Sequence, residues 1–350
     1  MPSFSKLSFV PGFLLVALSI MHCGAAMATA AEEPSGQQRA QAAGQGLVGT
    51  TAPRMVLKTI DGDTIDLGSL YGKKAVYLKF WATWCTPCRE QMPHFERTYE
   101  SAGPDLAVIA INAGFNDSLE EIQRYRRELR ITMPIVLDDG TLGAAFKLRV
   151  TPQHIVIGRD GRIAYVGHLA DSKLDAALLQ ARNAPAGADA HGIELKSDAS
   201  QYVVGQRVPQ LDAIMLDGQT FHLRQSGSKQ PTVLVFLSPW CESYLATTRP
   251  QLSANCRSVR EQSDALAKAS HARWIGIASG IWATRGELAS YRDTNKVAIS
   301  LTLDDSGAWF RTFRVVTVPT VIVADADGTI RGRLEGAAAA APQALAGSIR

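Results

Sequence analysis

"FWATWCTPC", residues 80–88, is an apolar and aromatic run that stops at two cysteines separated by Thr86 and Pro87. Upstream, "KKAVYLKFWA" (73–82) is an unbroken apolar and aromatic run of the kind that forms a buried strand. Downstream, "CREQMPHFERTYESA" (88–102) places Met92, Phe95 and Tyr99 near helical spacing, with Pro93 as an expected kink. The nine residues therefore span a point where strand turns into helix. Cys85 falls at the helix N-terminus, where unpaired amides and the helix dipole favour negative charge. Cys88 lies one turn further on the same face, and Pro87 sits where a missing amide hydrogen costs nothing. Disulfide exchange runs through the thiolate, so a position that lowers a thiol pKa from about 8.5 is suited to it.

Two other uses of the pair are open. Structural zinc normally takes four ligands, and the chain has no second CxxC. Two thiolates can hold copper(I), with His94 or His154 assisting, which makes a copper chaperone or binding scaffold the alternative to redox exchange. A bridge across three residues would restrict the unfolded chain little, so a purely structural staple is unattractive.

The same stretch has an echo. "FLSPWCESY" (236–244) repeats it at an offset of 156 positions, keeping Trp240 and Cys241 but placing Tyr244 where a second cysteine would stand. Gly49, Pro53, Asp61-Gly62 and Leu67 fall on Gly205, Pro209, Asp217-Gly218 and Leu223. Further on, "RVTPQHIVIGRDGRI" (149–163) resembles "VVTVPTVIVADADGTI" (315–330) at an offset of 167, so the second copy carries about eleven extra residues, expected within 253–273. The expected organisation is a leader at 1–30, a loose polar tether at 31–46, a first domain at 47–182, an Ala/Gly/Pro-rich linker at 183–200, a second, degenerate domain at 201–336 and a tail at 337–350. The tail has helix-forming alanines without a clear face. Within the first copy the elements alternate: strand 73–82, helix from 88, strand 105–113, helix 119–130 opened by a Ser118/Glu121 capping box, strand 133–139, hairpin 153–167 around Asp160-Gly161, and helix 171–182. Such alternation gives α/β layers on a mixed sheet.

Size and composition agree. The 350 residues suit two domains, 46% hydrophobic and 20% charged residues describe a globular chain, and a net charge of +3 gives no case for nucleic acid. "RYRRELR" (124–130) reads as one solvated helix face. At the amino terminus, Lys6, the apolar "FVPGFLLVALSIM" (9–21) and small residues at 25–33 form a secretory signal peptide pattern. An uncleaved anchor and lipidation at Cys23 are the alternatives, although the run is short for a bilayer span and His22 stands where a lipobox has a small residue. Each places the body of the protein in an oxidising compartment, the periplasm by expectation. Four cysteines then remain, too few for a disulfide scaffold.

"FWATWCTPC", Pro93, and "VTP" at 150–152 before a strand resemble the thioredoxin fold. The longer frame "VGTTAPRMVLKTIDGDTIDLGSLYGKKAVYLKFWATWCTPCREQMP" (48–93) resembles the TlpA/ResA group of exported thiol–disulfide oxidoreductases. The resemblance implies two tandem thioredoxin-like domains, each a central mixed β-sheet flanked by helices. It makes Cys85 the exposed nucleophile and Cys88 the buried resolving thiol, with Cys85 and Cys88 forming the redox-active disulfide. Trp84 would shape the substrate surface, and Pro152 would be cis with Thr151 presenting backbone groups to an extended substrate. It further implies protein disulfides as substrates, reducing equivalents from a membrane electron donor, and no cofactor or metal.

Three positions depart from the group's pattern. Gln91, beside Glu90, stands where ResA-like proteins carry Glu. Lys79 stands where thioredoxins have a buried Asp, and is expected to snorkel to solvent or, if near the thiols, to depress their pKa. His154 follows Pro152 where relatives have a smaller residue. In the second copy, Cys241 without a partner at 244 can form a mixed disulfide but cannot clear it. Cys256 would be about 22 Å away along an unbroken helix, beyond bonding reach, unless Pro250 breaks that helix. The second copy is therefore expected to be redox-silent and kept for packing or partner binding. A Cys241–Cys256 staple stays open if Pro250 breaks the helix, and the alternative is that the two form a second, slower redox pair. No Thr stands three residues before Cys241, which weakens a peroxiredoxin-like reading.

Overall fold

The structure is a computed structural model that describes residues 1–3, 33–186, 192–195, 202–225, 227 and 229–349. All of the leader read at 1–30 beyond residue 3, and part of the linker at 183–200, lie outside these residues. Everything below belongs to the compact unit Pro34–Arg350. No helix among the described residues is long and apolar enough to cross a membrane.

The strand ahead of the CxxC, Ala75–Trp81, is the centre of a five-stranded sheet and is buried along its whole length. Leu106–Asn112 runs parallel on one side and Ile135–Leu137 beyond it. Gln153–Ile157 and Ile163–Gly167 continue antiparallel on the other side. Buried on both faces, Ala75–Trp81 and Leu106–Asn112 read as near-continuous apolar runs. Period-two alternation sends Tyr77 and Trp81 to the face covered by Phe95 and Tyr125, and sends Val76, Leu78 and Phe80 to the other. The helices are Thr86–Glu100, Leu119–Leu129 and Ser172–Asn183, plus a short one at Thr141–Ala145. Both halves of the Ser118/Glu121 capping box are formed.

A second five-stranded sheet repeats the topology: Ser300–Asp304, Arg273–Ser279, Thr232–Leu237, Thr320–Ala324 and Ile330–Glu335, in that order. Its first three strands are parallel and its last two antiparallel. The protein thus has two thioredoxin-like domains, each a mixed sheet flanked by helices.

Four features differ from the reading of the sequence. Residues 31–46, expected to be a loose polar tether, contain a helix, Gly36–Gly44, opened by a Ser35/Gln38 capping box. Its small residues allow close packing: Gly44 lies against Val166 and Gly36 against His168. A small hairpin, Val56–Lys58 with Thr64–Asp66, forms ahead of the first sheet, where the sequence pattern marks no strand. The tail forms helices Gly336–Ala340 and Ala344–Ile349, burying Ala339 and Leu345 against the second domain. The extra residues of the second copy begin earlier than expected. In place of the 15-residue helix Thr86–Glu100 stand a single turn, Cys241–Tyr244, a break, and the 20-residue helix Pro250–Ala269.

Candidate active site

Cys85 is the N-cap of the helix Thr86–Glu100, and Pro87 occupies its first turn. The amide of Cys88 donates to Cys85 Sγ at 3.1 Å, so one of the helix's unpaired donors points at the sulfur that would carry charge when reduced. The two sulfurs are joined as a disulfide, with Cα atoms 5.2 Å apart. Cys85, expected to be exposed, is only 2% exposed because residues of the second domain cover the junction, and Cys88 is fully buried as expected. The Thr151–Pro152 peptide is cis, and it brings the Thr151 carbonyl oxygen to 3.3 Å from Cys85 Sγ. His168 Nδ1 donates to the Pro152 carbonyl at 2.7 Å. Trp84 donates its indole N–H to the Phe115 carbonyl at 2.7 Å, which fixes the ring beside the junction. The five residues expected at the site are thus brought together around one helix end.

Beneath the junction the sheet carries polar groups in its interior. Lys79 does not snorkel: it is fully buried, and its Nζ has no hydrogen-bond partner. Its position at the middle of the central strand leaves no route to solvent, and its Nζ lies 5.2 Å from the centre of the Phe95 ring. Burial lowers its pKa to about 7. The residue paired with it on the next strand is His154. His154 Nδ1 lies 2.8 Å from the Tyr77 hydroxyl and Nε2 lies 2.9 Å from Gln91 Oε1. Gln91 can only accept through that oxygen, so Nε2 carries the proton and Tyr77 donates to Nδ1. Burial, reinforced by Lys79, holds His154 neutral, well below the ordinary histidine range. Glu90, by contrast, is exposed.

The second domain lies over this face. Trp240 stacks on Trp84 with ring centroids 4.8 Å apart, and the Tyr244 hydroxyl accepts from the Thr86 amide at 3.1 Å. Trp282 donates its indole N–H to Thr151 Oγ1 at 3.1 Å. Arg249 reaches Thr83 Oγ1 at 2.5 Å, the buried Asp117 carboxylate at 3.1 Å, Glu121 at 3.2 Å and the Asn116 carbonyl. No motif marked Trp282 or Arg249. Their role arises from docking between domains, which a linear repeat does not display.

In the second domain Cys241 and Cys256 are bonded, with Cα atoms 6.3 Å apart. The separation estimated along an unbroken helix does not apply, because the chain leaves the helix after Tyr244 and restarts it at Pro250. Cys241 is fully buried and Cys256 8% exposed.

Residues 48–166 match the model of the AhpC/TSA family. The chain is 32% identical over 133 residues to the thioredoxin-like protein YneN of Bacillus subtilis, covering 37% of this chain and 78% of that protein. It is 37% identical over 120 residues to the thiol-disulfide oxidoreductase ResA of Halalkalibacterium halodurans, covering 34% of this chain and 66% of the relative. The chain belongs to the ResA-like thioredoxin-fold family. The match to ResA thus spans just under two thirds of that relative's own length. Among solved structures, a solution structure of a putative protein disulfide isomerase from Bacteroides thetaiotaomicron is 29% identical, with a TM-score of 0.34, covering 38% of this chain and 86% of that one. The AhpC/TSA match lies within the first domain, the one that keeps both cysteines of the ResA-like motif.

Proposed function

We propose that this chain is an exported thiol–disulfide oxidoreductase that reduces protein disulfides through Cys85 and Cys88. The observation that carries the proposal is the bonded pair at a helix N-terminus, with the Cys88 amide donating to the Cys85 sulfur at 3.1 Å. In the reduced enzyme that donor and the helix dipole stabilise a Cys85 thiolate. The thiolate attacks one sulfur of a substrate disulfide, the substrate S–S bond breaks, and one substrate thiol leaves after taking up a proton. Cys88 then gives up its proton and attacks Cys85 Sγ. The mixed disulfide breaks, the second substrate thiol leaves, and Cys85–Cys88 is restored. Two electrons have passed to the substrate, and a dithiol donor, proposed to be membrane-bound, returns them. Direction follows from the two reduction potentials, where about 30 mV corresponds to 1.4 kcal/mol.

Thr151 and the cis Pro152 are assigned to backbone recognition of the substrate, and Trp84 to its side-chain surface. Export rests on the signal-peptide pattern at residues 1–30. The second domain, whose cysteines form a buried pair remote in sequence, is assigned no exchange step. Trapping tests the whole reading. Cys88→Ser should accumulate mixed disulfides between Cys85 and partner proteins, identifiable by diagonal gels and mass spectrometry. Recovery of no Cys85-linked partner from its native compartment would overturn it.

A further inference from the structure

The surfaces assigned to substrate are already occupied, and the occupant is the second domain. Trp240 covers the Trp84 ring, the Tyr244 hydroxyl takes the Thr86 amide, and Trp282 takes Thr151 Oγ1. Cys85 is left 2% exposed. The docking is also reciprocal. The Asn116 amide donates to the Val316 carbonyl at 2.7 Å, and the Trp282 amide donates to the Arg149 carbonyl at 2.8 Å. These four residues hold matching places in the two domains: Asn116 and Trp282 follow the second strand of each sheet, and Arg149 and Val316 precede its cis-proline. Each domain therefore offers the other the loops with which it would meet a partner. A cleft of about 410 Å³ remains open between them.

We infer that the second domain is a built-in competitor for the substrate surface: docked, it withholds Cys85 from folded protein disulfides, and the two faces must part before such a substrate is attacked. Arg249 is the latch, since one guanidinium holds Thr83, Asp117 and Glu121 together across the contact. This inference rests on the proposed role of Cys85, but its readout is access to the sulfur and does not depend on turnover.

The test uses the full chain carrying Cys88→Ser, which leaves Cys85 as a free thiol. Labelling of Cys85 by iodoacetamide and by a 5-kDa polyethylene glycol maleimide is followed by peptide mass spectrometry. Adding Arg249→Gln should raise the rate with the bulky reagent by about tenfold or more, raise the rate with the small one by less, and be reversed in part by Arg249→Lys. Trp282→Phe, which removes the indole donor to Thr151, should act in the same direction and serves where Arg249→Gln does not fold. Bulky labelling as fast with Arg249 and Trp282 intact as in the variants would overturn the inference. Failure of the trapping experiment with preserved labelling differences would instead remove the oxidoreductase reading and leave the occlusion standing.

Discussion

The junction of strand, turn and helix is built twice in this molecule, and the two versions use their cysteines differently. In the first domain the bonded sulfurs are three residues apart on one helix; in the second they are fifteen apart, on either side of a helix break. The first pair faces an amide donor and the carbonyl before a cis-proline. The sulfur of Cys241 instead lies 3.9 Å from the Leu252 carbonyl. The lesson is that the fold supplies a helix end in both places, but exchange chemistry also needs a second thiol within the same turn. Once Tyr244 takes that place, the remaining cysteine can bond only to a residue brought in by a bend. The result is a cross-link in the second domain's wall.

The largest expected effect follows from that contrast. Cys85→Ala should lower dithiothreitol-driven insulin reduction by about 100-fold or more, the order lost when a nucleophile is removed. Cys241→Ala should leave it within about twofold. Comparable losses in the two variants would break the distinction and make the second pair part of the electron route. Next in size is stability. Closing a fifteen-residue loop stabilises a fold by about 3 kcal/mol in the chain-entropy account. Cys241→Ala/Cys256→Ala should therefore lower the unfolding free energy of the second domain by about that amount in urea titrations. A loss below about 1 kcal/mol would mean that the bond is incidental to the fold.

Much of this was legible in the sequence. The apolar run at 73–82, the capping box at Ser118 and the hairpin around Asp160-Gly161 are local signals, set by burial, caps and turn chemistry, and the elements formed where those signals stood. The repeat placed Trp240 and Cys241 on Trp84 and Cys85, and the matching sheet order follows it. Other features were not legible because their causes are tertiary. The helix Gly36–Gly44 is polar and carries only its Ser35/Gln38 capping box as a local signal; what places it is tertiary, the packing of its glycines against His168 and Val166 and the Arg39–Glu287 ion pair. Lys79 lies in a strand whose charged residue would ordinarily reach water; a central strand covered on both faces offers no such path. The docking of the domains through Trp282 and Arg249 leaves no periodic trace at all.

Lys79 also gives the two domains their sharpest difference, and the smallest prediction concerns it. In the matching register of the second sheet stand Val235, where the first has Lys79, and Val321, where it has His154. Tyr77 likewise corresponds to Val233. The domain with the CxxC thus buries an amine, an imidazole and a phenol under its active-site helix, and the domain without it buries three valines. A buried amine without a hydrogen-bond partner destabilises the fold, most of all while it carries its charge, and the sign of the pH dependence is fixed by the direction of the shift. With the folded pKa lowered to about 7, the cost is full below that pH, where both states are protonated. It declines as the pH rises toward the unfolded value of about 10.5, because there only the unfolded chain binds the proton. Lys79→Met should therefore stabilise the protein distinctly more at pH 6 than at pH 10, as read from urea titrations at the two pH values. If the amine exchanges protons with the thiols above it, the same variant should lose a step near pH 7 in its rate of thiol exchange, while Glu90→Gln keeps it. A more stable Lys79→Met enzyme with an unchanged pH profile would leave the buried lysine as a packing variant. A lost step would mean that the polar layer is retained for proton transfer, at a cost in stability that the second domain, with valines in its place, does not bear.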